Sequence, residues 1–507
     1  MTDSRHPDAG GLLQQAMQLH QQGQLEQADN FYAEFLRNEP DHPQALRLSG
    51  ILARETGRYD KSLELLVRLA SLQSDNPNVI EEIALTYMGC GQLADASAAL
   101  DHALSLDPDS PGALANKGAL LHFRGHSAEA VRFYKRALKQ AKDDIELRCN
   151  LAKALADAGD EDAAIRECDK ALKQTDNHPM IRSIKASILA DTGQHKEAIE
   201  LLEGCIEFAD HDEMILINLG FCLQASGNHQ QAIEHWRQAV SINPHNARAV
   251  SDLAMALTAH GEAQQAKELC DGFLLRYPGE PLVLAAFGYA RIVCDPEDND
   301  LFDYEQLITP VHPFSDSEVS SLNNSLSDTI ATHPSLAAEP LNKSTTGGSQ
   351  TGELDPGAEE SVAKLHAAAE KQVRATAVGW SDQHPSKARA TNDYGIRSWG
   401  TVLGSGGRQS PHIHPTAWVS GVYYSQLPDT ISDDSDAGWI EFGLPPERTG
   451  LRAVLPESFR SYKVKPEAGL MVIFPSYLYH QTIPFRSTTQ RVSIAFDAVP
   501  MSAMAMF

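Results

Sequence analysis

Three histidines in the C-terminal third of the chain have the side chain that most often binds transition metals. His412 and His414 are separated by one residue in the segment SPHIHPTAW. Alternate side chains of an extended segment lie on the same face, so both imidazoles can reach one ion. The prolines Pro411 and Pro415 flank the pair, which predicts a position at the edge or mouth of a sheet, because proline is poorly tolerated inside one. The third histidine, His480, follows the apolar run GLMVIFP.

The segments around these histidines have the composition of β-strands. From residue 397 onward, β-branched and aromatic runs are separated by Gly, Pro, Ser and Asp, which favours the short strands of a sandwich or jelly-roll barrel. The runs are RSWGTVL, WVSGVYYSQL, AGWIEFG, GLMVIFPS and QRVSIAFDAV. Before them, residues 318–333 and 357–378 are predicted to be helices and the segment SQTGELDP to be a turn. An α+β domain is therefore expected.

The order of these pieces resembles the iron(II)- and 2-oxoglutarate-dependent oxygenases that are built on a double-stranded β-helix. The matching stretches are HIHP–SGVYY, GWIEF, PEAGLMVIFPSYLYH and RVSIAF, and the resemblance is clearest over residues 397–497. It implies Fe(II) and 2-oxoglutarate as cofactors and His412 and His480 as metal ligands. It also implies a reaction in which oxygen is inserted into a substrate C–H bond while 2-oxoglutarate becomes succinate.

His414 departs from the family pattern, because most members have a carboxylate two residues after the first histidine. Three neutral imidazoles leave the site one negative charge short, although imidazole binds iron, zinc, copper and nickel. Either His414 is itself the third ligand, which is the prediction made here, or a carboxylate such as Glu441 is recruited from elsewhere.

Arg491 lies eleven residues after His480, at the start of the last predicted strand. The resemblance makes it the residue that binds the distal carboxylate of 2-oxoglutarate. A guanidinium forms a two-pronged, charge-assisted pair with a carboxylate, which lysine cannot copy. Ser493 shares its face of the strand and is predicted to contribute a hydroxyl. Tyr423 is predicted to contribute another, although only one of Tyr423 and Tyr424 can face inward.

A glycine recurs every 34 residues through the first half of the chain. The eight glycines are Gly23, Gly57, Gly91, Gly125, Gly159, Gly193, Gly227 and Gly261. A small residue seven positions before each glycine and another five positions after it allow two helices to pack closely. The glycine itself suits the turn between the helices, because it adopts a positive φ without strain. A fixed period of this length indicates stacked helical hairpins.

This pattern resembles the tetratricopeptide repeat, and it predicts a multidomain protein that begins with an all-α solenoid. Eight repeats and a capping helix are predicted over residues 9–293, after a disordered tail at residues 1–8. Residues 294–507 are predicted to form the oxygenase-like domain with its double-stranded β-helix core.

A row of polar residues recurs at one position on the first helix of several repeats. Its members are Asn116, Asn150, Asn218 and Asp252. The row resembles the asparagine ladder by which some tetratricopeptide arrays bind a peptide backbone, since an amide both donates and accepts hydrogen bonds. The alternative is that asparagine is simply common at this position of the repeat. A protein or peptide partner is expected, and the array could also mediate self-association.

The charge balance bears on the class of partner. The chain has 42 basic and 68 acidic residues, a net charge of −26. Nucleic acid and anionic membranes attract basic surfaces, so neither is expected as a partner. The N-terminal segment MTDSRHPDAG lacks the apolar core of a signal peptide, and no window has the roughly 18 apolar residues of a spanning helix. A cytoplasmic location is therefore expected.

Together these patterns predict an Fe(II)- and 2-oxoglutarate-dependent dioxygenase that hydroxylates a protein or peptide recruited by the solenoid. Tethering would raise the local concentration of substrate at the metal. Two alternatives stay open. The oxygenase-like domain could be catalytically silent and the protein an adaptor or scaffold, which the histidine at the carboxylate position would support. It could also be a three-histidine, cupin-like metal enzyme that does not use 2-oxoglutarate.

Overall fold

The computed structural model describes residues 9–175, 178–206, 212–339, 344–381, 384–389, 391, 393–432 and 435–504. The tail predicted at residues 1–8 lies outside them. The described residues divide into two compact units. The first contains those of 1–123, 129–147 and 501–507, and the second contains those of 124–128 and 148–500.

In the described residues up to Cys294, seventeen helices follow one another. They span Ala9–Gln21 (α1), Leu25–Asn38 (α2), Pro43–Glu55 (α3), Tyr59–Leu72 (α4), Pro77–Gly89 (α5), Leu93–Leu106 (α6), Pro111–Phe123 (α7), Ser127–Gln140 (α8), Ile145–Asp157 (α9), Glu161–Gln174 (α10), Pro179–Asp191 (α11), His195–Ile206 (α12), Glu213–Ala225 (α13), His229–Ile242 (α14), Ala247–Ala259 (α15), Ala263–Leu274 (α16) and Pro281–Cys294 (α17). They alternate as the first and second helices of eight 34-residue repeats, and α17 follows the eighth. None of the helices in the described part of the chain has the length and apolar character needed to cross a bilayer.

The turn inside each repeat depends on its glycine. All eight repeat glycines have positive φ, between 71° and 86°, as the period predicts. At the end of α13, the N–H of Asn228 donates to the carbonyl oxygen of Leu223 at 2.8 Å, and the N–H of Gly227 donates to that of Gln224 at 3.0 Å. This left-handed cap uses carbonyl groups that the helix end would otherwise leave without partners.

The helices of a repeat approach closely where a small residue faces a large one. Trp236 on α14 packs against Gly220 on α13, and a Cβ added at Gly220 would lie 2.5 Å from the indole nitrogen. In the first unit, Gly50 faces Leu66 and Gly118 faces Tyr134 in the same way. The small residue before each glycine therefore makes room for the residue nine positions after it.

The rest of the second unit is rich in strands. The part of it that the structure describes has ten strands, which span Thr309–Val311 (β1), Ala337–Ala338 (β2), Thr345–Glu353 (β3), Tyr394–Gln409 (β4), Val419–Gln426 (β5), Ile440–Phe442 (β6), Tyr462–Val464 (β7), Met471–Pro475 (β8), His480–Thr482 (β9) and Arg491–Pro500 (β10). Helices lie at Tyr304–Leu307 (α18), Asp316–Ala331 (α19) and Glu360–Gly379 (α20), and Met501–Met504 (α21) belongs to the first unit.

The strands form two antiparallel sheets. The larger sheet has the order β1-β8-β5-β10-β4-β3-β2, and the smaller has the order β7-β6-β9. Phe442 of β6 and Phe474 of β8 have ring centroids 4.9 Å apart, so the two sheets are in apolar contact. Helix α19 packs on the larger sheet, where Ile330 fills the space over Gly400. The helical repeats are thus followed by a β-rich region.

One predicted turn is a strand. The segment SQTGELDP lies largely in β3, where Gln350 pairs with Thr401 of β4. Its polar residues and glycines give little intrinsic strand preference, so the pairing partner determines the conformation. The predicted strands around β4, β5, β6, β8 and β10 and the predicted helices at α19 and α20 are present.

A hydrophobic core extends through much of the second unit, from Ala186 in α11 to Ala498 in β10. Polar contacts join the same elements. The hydroxyl of Tyr289 on α17 donates to the carbonyl oxygen of Gly443 at 2.9 Å. The last three repeats and the β-rich region are therefore built around shared apolar side chains.

We expect Gly443→Ala to lower the free energy of unfolding by about 2–4 kcal/mol. Gly443 has a φ of +96°, and an added Cβ would overlap the hydroxyl of the buried Tyr304 side chain. Chemical denaturation would measure the change. Gly272→Ala is the matched control, because nothing lies within 4 Å of its added Cβ inside α16, and it should raise stability by up to about 1 kcal/mol. Equal effects at the two positions would contradict this account.

Candidate metal centre

Backbone hydrogen bonds bring the histidine segments together. The N–H of His412 donates to the carbonyl oxygen of His480 at 3.1 Å, and the N–H of His480 donates to that of His412 at 3.0 Å. The N–H of His414 donates to the carbonyl oxygen of Ser476 at 3.1 Å. The loop after β4 is thereby fixed against the segment that joins β8 to β9.

The three imidazoles form one cluster. The ring centroids of His412 and His480 are 4.3 Å apart, and that of His414 lies 5.2 Å from the first and 5.1 Å from the second. One ring nitrogen from each residue lies within 4.8 Å of the other two. The structure thus places the three predicted ligands where they could share one ion.

Backbone carbonyl groups fix the Nδ1 protons of His412 and His480 and so leave an Nε2 lone pair on each ring. Nε2 of His412 lies 3.4 Å from the Ser344 hydroxyl. Nδ1 of His412 lies 2.8 Å from the carbonyl oxygen of Ser410, and Nδ1 of His480 lies 3.0 Å from that of Leu478. A carbonyl oxygen only accepts, so each Nδ1 carries the proton. Burial lowers the pKa of His480 well below its ordinary value, and the neighbouring histidines lower it further, so this imidazole is neutral.

A buried carboxylate lies beside the histidine that departs from the family pattern. Oδ1 of Asp497 is 2.5 Å from Nδ1 of His414 and accepts a hydrogen bond from the Ser420 hydroxyl at 2.7 Å. The Ser420 hydroxyl is also 2.8 Å from that of Ser476. A carboxylate bound to Nδ1 orients the ring and makes Nε2 a better ligand. It also supplies the negative charge that three neutral imidazoles lack.

Asp497→Asn should weaken metal binding by about 10- to 100-fold, because outer partners of ligating histidines have effects of this size. The amide would keep the volume of the side chain and lose its charge. Competition with a chelator for Co(II) would measure the affinity. Asp316→Asn, an exposed change on α19, should leave it unaltered. An Asp497→Asn protein that binds Co(II) as tightly as the unchanged chain would show that the carboxylate does not support the site.

The guanidinium of Arg491 is almost completely buried, with 1% of the residue exposed. One nitrogen donates to Ser493 Oγ at 3.3 Å, and its carbon lies 4.9 Å from the centroid of the Tyr424 ring. Within the described residues its Nε has no hydrogen-bond partner and no carboxylate pairs with it. Burial lowers the pKa of this guanidinium. An unpaired buried charge is unfavourable, so the arrangement indicates a site for an anion.

Two predicted participants lie elsewhere. Tyr423 does not join Arg491, because its hydroxyl donates to Asn323 Oδ1 on α19 at 2.7 Å. The strand pairing gives the reason, since Ser493 lies opposite Tyr424 and the two side chains share a face. Glu441, the alternative carboxylate, accepts hydrogen bonds from Ser461 and Gln481 at 2.6 Å each, away from the histidines.

The histidine cluster and Arg491 line one cavity of about 290 Å³. The predicted residues that line it are His412, His414, His480, Arg491 and Ser493. Asp497, Gln350 and Trp399 line it as well, and sequence reasoning did not single them out. The cavity is of a size to hold a small co-substrate beside a metal.

Family models match both parts of the chain. Residues 397–497 match the model described as "Putative 2OG-Fe(II) oxygenase". Residues 13–77 and 82–145 match the tetratricopeptide repeat model, and residues 153–270 match the model described as "Psidin, N-terminal TPR repeats region". The chain carries tetratricopeptide repeats and a 2OG-Fe(II) oxygenase segment. All three clustered histidines, Asp497 and Arg491 lie in the oxygenase segment.

Solved structures match the chain only loosely. A tetratricopeptide repeat protein from Parabacteroides merdae is 17% identical over 46% of this chain and 93% of its own, with a TM-score of 0.41. The human IFIT1 dimer with PPP-AAAA is 18% identical over 59% and 76%, with a TM-score of 0.39. MamA from Desulfovibrio magneticus RS-1 is 25% identical over 32% and 93%, with a TM-score of 0.29. No curated protein matches the sequence significantly. These likenesses carry no argument about the ligands of this chain.

The predicted polar row on the repeats has no single environment. In the first unit, the amide of Asn116 donates to Glu81 Oε1 at 2.8 Å. In the second unit, Asn218 and Asp252 line one cavity, whereas Asn150 is half-buried and is not among its lining residues. Peptide binding by the whole row stays a prediction.

Proposed function

We propose that the β-rich region is an Fe(II)- and 2-oxoglutarate-dependent dioxygenase that hydroxylates a protein or peptide held by the repeats. The reaction would consume O₂, 2-oxoglutarate and a substrate C–H bond, and would release succinate, CO₂ and the hydroxylated substrate. One oxygen atom would enter succinate and the other the substrate. The observation that carries this proposal is the buried guanidinium of Arg491, which pairs with no carboxylate of the described residues and lines the same cavity as the three histidines.

The buried guanidinium of Arg491 argues against a cavity that binds a metal ion without an anionic co-substrate. Two positive groups in one poorly hydrated cavity repel each other, and an anionic co-substrate that contacts both relieves the repulsion. The carboxylates of 2-oxoglutarate have the required charge. The Tyr424 ring on one side and the Ser493 hydroxyl on the other would hold the guanidinium in place for its distal carboxylate.

The donor set fits a divalent transition metal. Imidazole nitrogens bind iron(II) well, and Asp497 on His414 supplies both orientation and charge. Iron(II) bound by His412, His414 and His480 would supply the oxygen chemistry. The residues of this chain would hold the metal and co-substrate, and the apolar walls around Ile440 and Phe474 would exclude water.

We also infer that the oxygenase segment has a double-stranded β-helix core. The two antiparallel sheets are in contact through Phe442 and Phe474, and a backbone bridge joins His412 to His480. Such a core would extend through the predicted domain at residues 294–507. The repeats suit recruitment of a protein, because stacked repeats present an extended binding surface.

Anaerobic titration of the purified chain with iron(II), then with 2-oxoglutarate, tests the proposal. A weak visible charge-transfer band should require both additions. Glutarate is the matched control, because it has the same length and both carboxylates and lacks the keto group that chelates the metal, and it should give no band. Iron binding without a 2-oxoglutarate band would favour a three-histidine enzyme that uses no 2-oxoglutarate. A chain that binds no metal would favour the scaffold.

A further inference from the structure

A second cavity, of about 770 Å³, lies in the second unit beside the metal cavity. Its walls come from the first helices of repeats 6, 7 and 8, from α17, and from the loop that carries the histidines. Four residues line both cavities, namely Ser344, His412, Ile413 and Pro415. The repeat surface is therefore continuous with the candidate metal centre, and His412 lies at the junction.

The charged residues that line this second cavity differ in their contacts. Arg248 donates to Asp252 at 2.9 Å, and the guanidinium of Arg448 lies 5.7 Å from the centroid of the Phe221 ring. Asp191, at the end of α11, makes no ion pair with any described residue. Its side chain is exposed, yet the surrounding helices partly desolvate it. This desolvation and the charge of Asp157 together raise the pKa of Asp191 to about 6, although Arg248 lowers it. A cation bound to Asp191 would relieve both effects.

Two amides on α13 offer hydrogen bonds inside the same cavity. Gln224 donates through Nε2 to the carbonyl oxygen of Arg448 at 2.9 Å, while its Oε1 is buried without a partner in the described chain. The side-chain amide of Asn218 also bonds to no other described residue. An extended polypeptide has an N–H and a C=O at each residue, which these groups could bind whatever its sequence.

We propose that this cavity binds an extended polypeptide segment that carries a lysine or arginine, and that Asp191 binds the basic side chain. Asn218 and Gln224 bind the backbone of the segment, and a neighbouring residue passes His412 into the metal cavity. The inference deepens the proposed function, because it names the substrate class of the same site. A nucleic-acid strand is disfavoured, since its phosphates would meet the carboxylate of Asp191.

Fluorescence anisotropy with the full chain, free of metal and 2-oxoglutarate, tests the inference. The probes are a fluorescein-labelled octapeptide of alternating alanine and lysine, and the same peptide with glutamine at every lysine. We expect the lysine peptide to bind at least tenfold more tightly. Asp191→Asn should remove most of that preference and leave the affinity for the glutamine peptide unchanged, because only the charge pair is lost.

Asp271→Asn is the matched control, because it makes the same change in net charge at an exposed site on α16. It should alter binding less than twofold. Equal losses in Asp191→Asn and Asp271→Asn would mean that the lysine peptide binds only to the general acidic surface, and would overturn the inference. Failure of the lysine peptide to bind the unchanged chain would also overturn it.

A second variant tests the location without altering charge. Ser187, on α11, is exposed and lines the second cavity. Ser187→Trp should therefore fill this cavity without disturbing the hydrophobic core. It should abolish binding of the lysine peptide and leave the iron and 2-oxoglutarate band intact. Undiminished peptide binding in Ser187→Trp would place the peptide elsewhere.

The failures of the two proposals are distinguishable. If the charge-transfer band is absent but the preference for the lysine peptide depends on Asp191, the second cavity binds a basic peptide and the dioxygenase proposal is wrong. If the band forms and the preference does not depend on Asp191, the dioxygenase proposal is supported and the proposed binding of a basic peptide in the second cavity is wrong.

Discussion

Arg491→Met should abolish 2-oxoglutarate binding and leave metal binding intact. Each hydrogen bond to a charged group contributes about 1.5–3 kcal/mol, so the loss of a two-pronged pair should weaken affinity at least about 100-fold. The visible band of the iron and 2-oxoglutarate complex would report the loss, and Co(II) affinity would report the intact metal site.

The same change has an unusual expected effect on stability. Because Arg491 is buried with no carboxylate partner among the described residues, a methionine of similar length should leave the unfolding free energy of the ligand-free chain unchanged or higher. Most changes at a buried residue lower it. Arg486→Met, at an exposed neighbouring site, is the control and should preserve the band. A band of undiminished affinity in Arg491→Met would remove the main support for 2-oxoglutarate.

His480→Gln should abolish metal binding. His480 is buried against His412 and His414, and its Nε2 is the atom that the Leu478 carbonyl leaves free. The loss of a direct ligand should exceed the 10- to 100-fold effect of an outer partner, so we expect more than about a 100-fold loss of affinity. Glutamine keeps a polar side chain in the space of the imidazole.

Thermal unfolding with and without Co(II) would measure this loss. A metal that binds only the folded chain raises the unfolding temperature, and the rise should disappear in His480→Gln. His312→Gln is the control, because it makes the same substitution in the β-rich region at a side chain that is 52% exposed. A Co(II)-dependent rise that persists in His480→Gln would place the metal outside the three-histidine cluster.

The repeat architecture could be predicted almost completely from local signals. A glycine at a helix end and a small residue opposite a large one are requirements of short-range geometry. Gly227 and the pair of Gly220 with Trp236 meet them where the period places them. Strand β3 could not be predicted this way, because its conformation depends on pairing with β4, which lies some fifty residues away in the sequence.

The histidines that cluster in the candidate site were predicted from the sequence, and the side chains around them less well. The spacing of His412 and His414, with the family resemblance that added His480, predicted the cluster. The choice of Tyr423 over Tyr424 required the register between β5 and β10, which the sequence does not state. Asp497 had an available signal. It lies on the same strand as Arg491 and Ser493, an even number of positions from each, so all three side chains must share a face.

The core that joins the last three repeats to the β-rich region has a consequence for how such proteins can diversify. Repeats at the start of an array can be duplicated or lost one at a time, because each contacts only its neighbours. The repeats from α11 onward share buried side chains with the sheets, so losing any one of them would expose that core. Descendants of this chain should vary in repeat number upstream, while the repeats next to the oxygenase segment are inherited with it as a block.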